Sequence, residues 1–219
     1  MFMKLEFDSI MLEFEMHRVL SAVHMACSTG EVVGLLGRNG SGKSCLMRIV
    51  FGSMAAQSKS VRIDGQYLTG DYMRKKRIAY LPQHDLLPDS ITFTTALNLF
   101  GVKAERIEKI FPELMDVLKQ KPNEVSGGQR RIFETLLILF SDHPFCFLDE
   151  PFSGIMPVHA ERLSEIICAE KSRKGIIVSD HLHRQVRAIA DRLYVLANGK
   201  TYPIQSEAQL VELGYLNDV

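Results

Sequence analysis

The sequence predicts an α/β fold with a mostly parallel central sheet, and three observations carry that expectation. Continuous apolar runs such as Val32-Val33-Gly34-Leu35-Leu36 and Phe145-Cys146-Phe147-Leu148 read as strands covered on both faces, the habit of parallel sheets. Segments of helical length separate several of these runs. A glycine-rich turn stands directly between one run and the helical pattern after it. The 219 residues, 46% of them hydrophobic, suffice for one large domain or a domain with a compact insertion.

Taken in order, the strand candidates are 4–7, 32–36, 77–81, 145–148, 175–179 and 193–197, each short and rich in β-branched, aromatic or leucine side chains. A helical pattern at 45–51 follows the glycine-rich turn. From His84 to about Phe140 the texture changes: helical patterns at 94–100, 104–111 and 129–140 have no convincing strand between them, which predicts a helical insertion. Asn198-Gly199 reads as a tight hairpin turn between Val195 and Tyr202. Ser206-Glu207-Ala208-Gln209 reads as a capping box opening a last helix. There are no repeats, low-complexity tracts or flexible linkers.

Lys plus Arg and Asp plus Glu both number 26, so no net basic field exists to hold the chain on nucleic acid or anionic lipid. Residues 1–8 lack an apolar core behind a basic end, and the densest apolar run, 136–140, is too short to span a bilayer. The expectation is a cytoplasmic chain. Cys27, Cys45, Cys146 and Cys168 fall in no paired short spacing, which reads as reduced thiols rather than a zinc site.

Gly37, Arg38, Asn39, Gly40, Ser41, Gly42, Lys43 and Ser44 match the P-loop pattern in the context it requires, after a strand and before the helix that begins at Cys45. Glycines let backbone N–H groups turn inward around phosphates, and the helix N-terminus adds partial positive charge. Lys43 is expected to reach the β- and γ-phosphates, and Ser44 to hold Mg²⁺. This motif alone predicts a nucleoside triphosphate and leaves GTPase, kinase and helicase open.

The run ending in Asp149-Glu150 would deliver two carboxylates to the same sheet edge. Asp149 is the expected magnesium ligand, through water, and Glu150 the general base for the attacking water. The run 175–179 ends at Asp180-His181, making His181 a candidate phosphate contact, while His183 reads as surface. Gln83, just past another strand, could reach the metal or the water through its amide.

Val125-Ser126-Gly127-Gly128-Gln129 strongly resembles the signature sequence of ABC ATPases, and it occupies the same place in the order of motifs as in that family: P-loop, Gln83, signature, acidic strand, His181. The resemblance extends over nearly the whole chain. It implies one ABC ATP-binding domain over 1–219. Approximately 1–83 and 141–219 would form the core with an antiparallel β subdomain, and approximately 84–140 the helical subdomain.

The resemblance further implies a head-to-tail dimer, homomeric or heteromeric, with two ATPs sandwiched between one subunit's P-loop and the other's Ser126, Gly127, Gly128 and Gln129. Phe14 is the aromatic best placed to stack on adenine, unless it lies in the core. Separate membrane-spanning permease subunits would dock near Gln83 and the helical insertion, placing the chain on the cytoplasmic face of a membrane.

Two residues depart from the family pattern: Val125 replaces a leucine, and Met156 stands where an aspartate normally closes the loop after Glu150-Pro151. That second change bears on communication between the two sites. The function the resemblance implies is an ATP-binding and ATP-hydrolysing motor that powers transport of an unknown substrate through those separate membrane-spanning subunits. Beside it stand two alternatives: a soluble ABC ATPase of DNA or ribosomes, and an ATP-dependent dimerising switch with little turnover. Long heptads, a second cassette and a basic patch, which the first would need, are absent from the sequence. Intact Lys43, Glu150 and His181 speak against the second.

Overall fold

The computed structural model describes residues 2–15, 17–70, 76–181, 183–213 and 215. The chain opens on two long antiparallel strands, β1 (Lys4–Phe14) and β2 (His17–Ser28), followed by β3 (Val32–Leu36) and α1 (Lys43–Phe51). Next come β4 (Ser58–Ile63), β5 (Gln66–Tyr67) and β6 (Ile78–Leu81). Only the first four residues of β1 are legible as a strand in the sequence. A register shift between Asp8 and Ile10 explains this, because it moves the buried face from odd positions, Leu5 and Phe7, to even ones, Ile10 and Leu12.

After β6 the chain turns helical. It forms α2 (Phe93–Phe100), α3 (Ala104–Glu108), 3₁₀ turns at Pro112–Val117 and Pro122–Glu124, and α4 (Gly127–Phe140). The single helix expected at 104–111 is thus shorter. Pro112 cannot continue an α-helix from Glu108, and the chain tightens into the first of those 3₁₀ turns. Thr92 caps α2 and Gly101, at φ 67°, ends it.

The remaining elements are β7 (Phe145–Asp149), α5 (Pro157–Glu170), β8 (Gly175–Ser179), α6 (His183–Ile189), β9 (Arg192–Ala197), β10 (Lys200–Ile204) and α7 (Glu207–Glu212). Asn198 and Gly199, both at positive φ, join β9 to β10 as the expected hairpin turn. The capping box expected at Ser206 does not form. Ser206 makes no side-chain cap bond, and Gln209 instead accepts from the backbone N–H of Gln205 at 2.8 Å.

Ten strands form one sheet in the order β5-β4-β1-β2-β10-β9-β3-β8-β7-β6. From β9 to β6 every ladder is parallel, and the N-terminal strands and the β9–β10 hairpin are antiparallel. One core cluster packs α2, α4, α5 and α6 against one side, with Phe93, Phe133 and Leu148 fully buried. The other joins α1 to β1, β2 and β4 through Leu46, Ile49, Leu5 and Val61. Because β3, β6, β7 and β8 run the same way, the segments after Leu36, Leu81, Asp149 and Ser179 all leave at one edge of the sheet.

Candidate active site

At that edge β3 gives way to the glycine-rich turn, which reverses through Gly40 (φ 79°) and Gly42 (φ 102°) before α1 begins at Lys43. Gly37 is required by space as well: a Cβ there would stand 2.6 Å from Ser41 Oγ and 2.8 Å from Leu196 O. No side chain caps α1, so its first N–H groups remain available to an anion. Lys43 is buried and its Nζ donates to Gly37 O at 2.7 Å. Burial pushes its pKa below the ordinary lysine value, against the pull of Asp149, Glu150 and Asp180. Ser41 Oγ is buried without a hydrogen-bond partner among the described residues, which fits a loop shaped to donate to something it encloses.

A cavity of about 670 Å³ collects Asn39, Gly40, Ser41, Gly42, Lys43, Ser44 and Cys45 with Phe14, Val19, Gln83, Glu150 and His181. These residues come from six separated stretches of sequence, and the sheet edge brings them together. Phe14 is 49% exposed at the end of β1, so its ring is not core. Arg38 opens to the other flank of the loop, into a cavity of about 290 Å³ shared with Asn198 and Tyr215. Tyr215 also meets the ring of the half-buried His183 edge-on at 6.1 Å.

Asp149 is buried, and both carboxylate oxygens already accept hydrogen bonds, from Tyr80 Oη at 3.1 Å and Ser179 Oγ at 2.6 Å. Burial, then the adjacent Asp149 carboxylate, pushes the Tyr80 phenol well above its ordinary pKa, so it stays a donor. Asp149, Ser44 and Gln83 line an adjoining cavity of about 460 Å³. A hydroxyl, an amide and one carboxylate are hard oxygen donors, a set that fits Mg²⁺ held mainly by waters and substrate phosphates. Among the described residues no three of His, Cys, Asp and Glu cluster as a metal cage of their own.

Glu150 takes a left-handed backbone, φ 57°, and its N–H donates to Ser179 O at 2.6 Å. That conformation is unfavourable for a residue with a Cβ. Its Oε2 lies 3.6 Å from His181 Nδ1, which is 3.3 Å from Asp180 Oδ1. Asp180 is fully buried and accepts from the Phe152 N–H at 3.0 Å, tying the chain after Glu150 to the chain before His181.

Ser126 and Gln129 form a reciprocal cap on α4, with Ser126 Oγ accepting from Gln129 N at 3.2 Å and Gln129 Oε1 from Ser126 N at 3.2 Å. Ser126 and Gly127 nevertheless stay exposed. With Gly128 and Gln129 they line a different cavity, about 590 Å³, beside Gly154, Met156 and His159. Met156 is 61% exposed. The structure therefore does not bring the Ser126 segment to its own chain's Lys43.

Tyr80, Ser179, Asp180 and Arg131 escaped sequence reasoning. Tyr80, Ser179 and Arg131 each donate to Asp149, and Asp180 accepts from the backbone N–H of Phe152. Arg131 carried no signal of burial, because it follows Gln129 and Arg130 and precedes the apolar run that begins at Ile132; Glu134, set between Phe133 and Leu136, was the charged residue whose place implied burial with partners.

A family model described as ABC transporter matches residues 20–153. The high-affinity branched-chain amino acid transport ATP-binding protein BraG of Pseudomonas aeruginosa is 30% identical over 210 residues, covering 90% of this chain and 90% of that one. The lipopolysaccharide export system ATP-binding protein LptB of Acidithiobacillus ferridurans is 29% identical, covering 95% and 92%. Among solved structures, an ATP-binding subunit of an ABC transporter superposes with a TM-score of 0.81 at 24% identity over 98% of this chain and 95% of that one. A bacterial ABC exporter with ATP bound gives 0.82 at 17% identity, over 95% of this chain and 40% of its own.

Proposed function

The chain belongs to the ABC transporter family, in which it is an ATP-binding, ATP-hydrolysing subunit coupled to transport, and from that premise we propose how its residues divide the work. Lys43 and the first N–H groups of α1 cradle the phosphates, offsetting charge that builds on the γ-phosphoryl oxygens as the bond to the leaving group breaks. Glu150 orients the attacking water and accepts its proton at the carboxylate; such a base contributes about 10²- to 10⁴-fold in rate. His181, 3.6 Å from that carboxylate, donates to the γ-phosphate and keeps the water in line. Ser44, Asp149 and Gln83 are the residues that would hold Mg²⁺, which when bound neutralises phosphate charge.

The observation that carries this reading is the convergence of Lys43, Gln83, Glu150 and His181 on one cavity. Ser126 and Gly127, exposed elsewhere, act on the nucleotide of a second ABC subunit, identical or related. Residues 84–140 form the helical subdomain and the rest the core with its β subdomain. Among the described residues no helix is long and apolar enough to cross a membrane. In this reading separate permease subunits at the membrane's cytoplasmic face are driven by dimer closure on ATP and reset by hydrolysis.

The test is Glu150→Gln in the full chain. Turnover is expected to fall by two orders of magnitude or more, on the order of the general-base contribution, while ATP affinity is kept. Unchanged turnover removes Glu150 from the role of base.

A further inference from the structure

Three charged side chains of α4 point into the protein. Arg131 is 7% exposed and Glu134 is 1% exposed, and the Arg130 side chain is 12% exposed. Helix-to-sheet packing alone would favour apolar groups there, since a buried ion pair seldom adds stability over a well-packed hydrophobic one. Their partners explain them, and almost all of those partners belong to the active-site loops.

The Arg131 guanidinium donates to three backbone carbonyls: Pro82 O at 2.8 Å, Glu150 O at 3.1 Å, and Asp149 O. Glu150 is thereby held from both sides. Its N–H is tied to Ser179 O on β8 and its carbonyl to Arg131 on α4. A non-glycine residue at φ 57° persists only where its surroundings over-determine the backbone, and these bonds do so.

Glu134 Oε1 accepts from the N–H groups of Leu86 and Leu87, both at 3.0 Å, and from Arg130 Nε at 3.1 Å. Gln83 is therefore bracketed, with Pro82 fixed before it and Leu86 after it by consecutive turns of one helix. That helix is the one Ser126 opens.

We propose that Arg131 is a positioning residue for ATP hydrolysis, fixing the main chain at Glu150 and beside Gln83 so that the helix opened by Ser126 and the water-activating carboxylate move as one unit. A shift of that helix is delivered to Asp149 and Glu150 through two hydrogen bonds, and to Pro82 beside Gln83 through a third, rather than through loose packing. The inference rests on Glu150 being the base.

The experiment compares Arg131→Met, Arg131→Lys and Glu150→Gln in the full chain by melting temperature, ATP dissociation constant, KM and kcat. A misplacement of about 1 Å costs up to about 100-fold in rate. The expected result is a kcat lowered about 10- to 100-fold in Arg131→Met with ATP affinity and KM within threefold of the parent. Arg131→Lys, whose ammonium cannot span three carbonyls in one plane, is expected to recover only part of the loss.

Should Arg131→Met melt below the assay temperature, Arg131→Lys is read the same way. Parent-level kcat in a folded Arg131 variant, with Glu150→Gln inactive, overturns the proposal and leaves the active-site reading standing. An equal loss of affinity and kcat, or melting of both Arg131 variants, assigns Arg131 to folding alone and also overturns it. Full turnover in Glu150→Gln removes the reading beneath it instead.

Discussion

Phe14 stands at the end of β1 with its ring half exposed, facing the same cavity as Lys43 and Ser44. An aromatic ring left in water at a nucleotide cavity gains by stacking on a base, worth about 1 kcal/mol, or roughly fivefold in affinity. Phe14→Ala is therefore expected to weaken ATP binding about fivefold with kcat at saturation unchanged, and Phe14→Tyr to keep it. Titration with a fluorescent ATP analogue checks this; equal affinity in all three proteins rejects stacking. Lys43, Asp149 and Glu150 were legible one residue at a time because each adjoins a local pattern of turn or strand. Tyr80 and Ser179 were not, because their meaning comes from register: Ser179 lies opposite Asp149 only once β7 and β8 are paired.

At the scale of the element, α4 was legible from its apolar run, and its start proved to be Gly127 rather than Gln129. What the sequence hid is how closely its first turn meets the loop after Glu150. A Cβ on Gly128 would stand 2.9 Å from the backbone oxygen of Gly154, whereas one on Gly127 would meet nothing within 4 Å. Gly127→Ala is thus expected to leave the melting temperature unchanged or raise it slightly, since alanine is the better helix former. Gly128→Ala must displace either the helix start or the Gly154 loop at about 1–3 kcal/mol, lowering the melting temperature by roughly 2–12 °C for a chain of this size. Equal melting temperatures for the two variants would mean that the helix and loop are not packed as described. The long strand β1 escaped for the opposite reason, since its bulge breaks the alternation by which strands are recognised.

For the whole molecule, the parallel half of the sheet was legible because buried parallel strands read as unbroken apolar runs, and the order of motifs along the chain located the active-site edge. Of the antiparallel part only the β9–β10 hairpin and the start of β1 were legible, since β2 and β4 mix polar and apolar residues and acquire their faces only on pairing. On the proposed reading each molecule carries two unlike halves of a site: Lys43 in one cavity, exposed Ser126 beside another. A two-fold pairing joins these halves when each copy gives its P-loop to the other's Ser126 segment and receives the reverse. Two defective proteins test this arrangement. Lys43→Ala lacks the cradle but keeps Ser126, and Ser126→Arg blocks the donor surface but keeps Lys43. Each alone is expected to be inactive, whereas their mixture contains heterodimers with one intact composite site and regains turnover that neither shows. Recovery on mixing cannot come from a site built within one chain, because every chain present carries a lesion. If the mixture stays as inactive as its parts while both proteins remain folded, the Ser126 surface does not serve a neighbour's nucleotide.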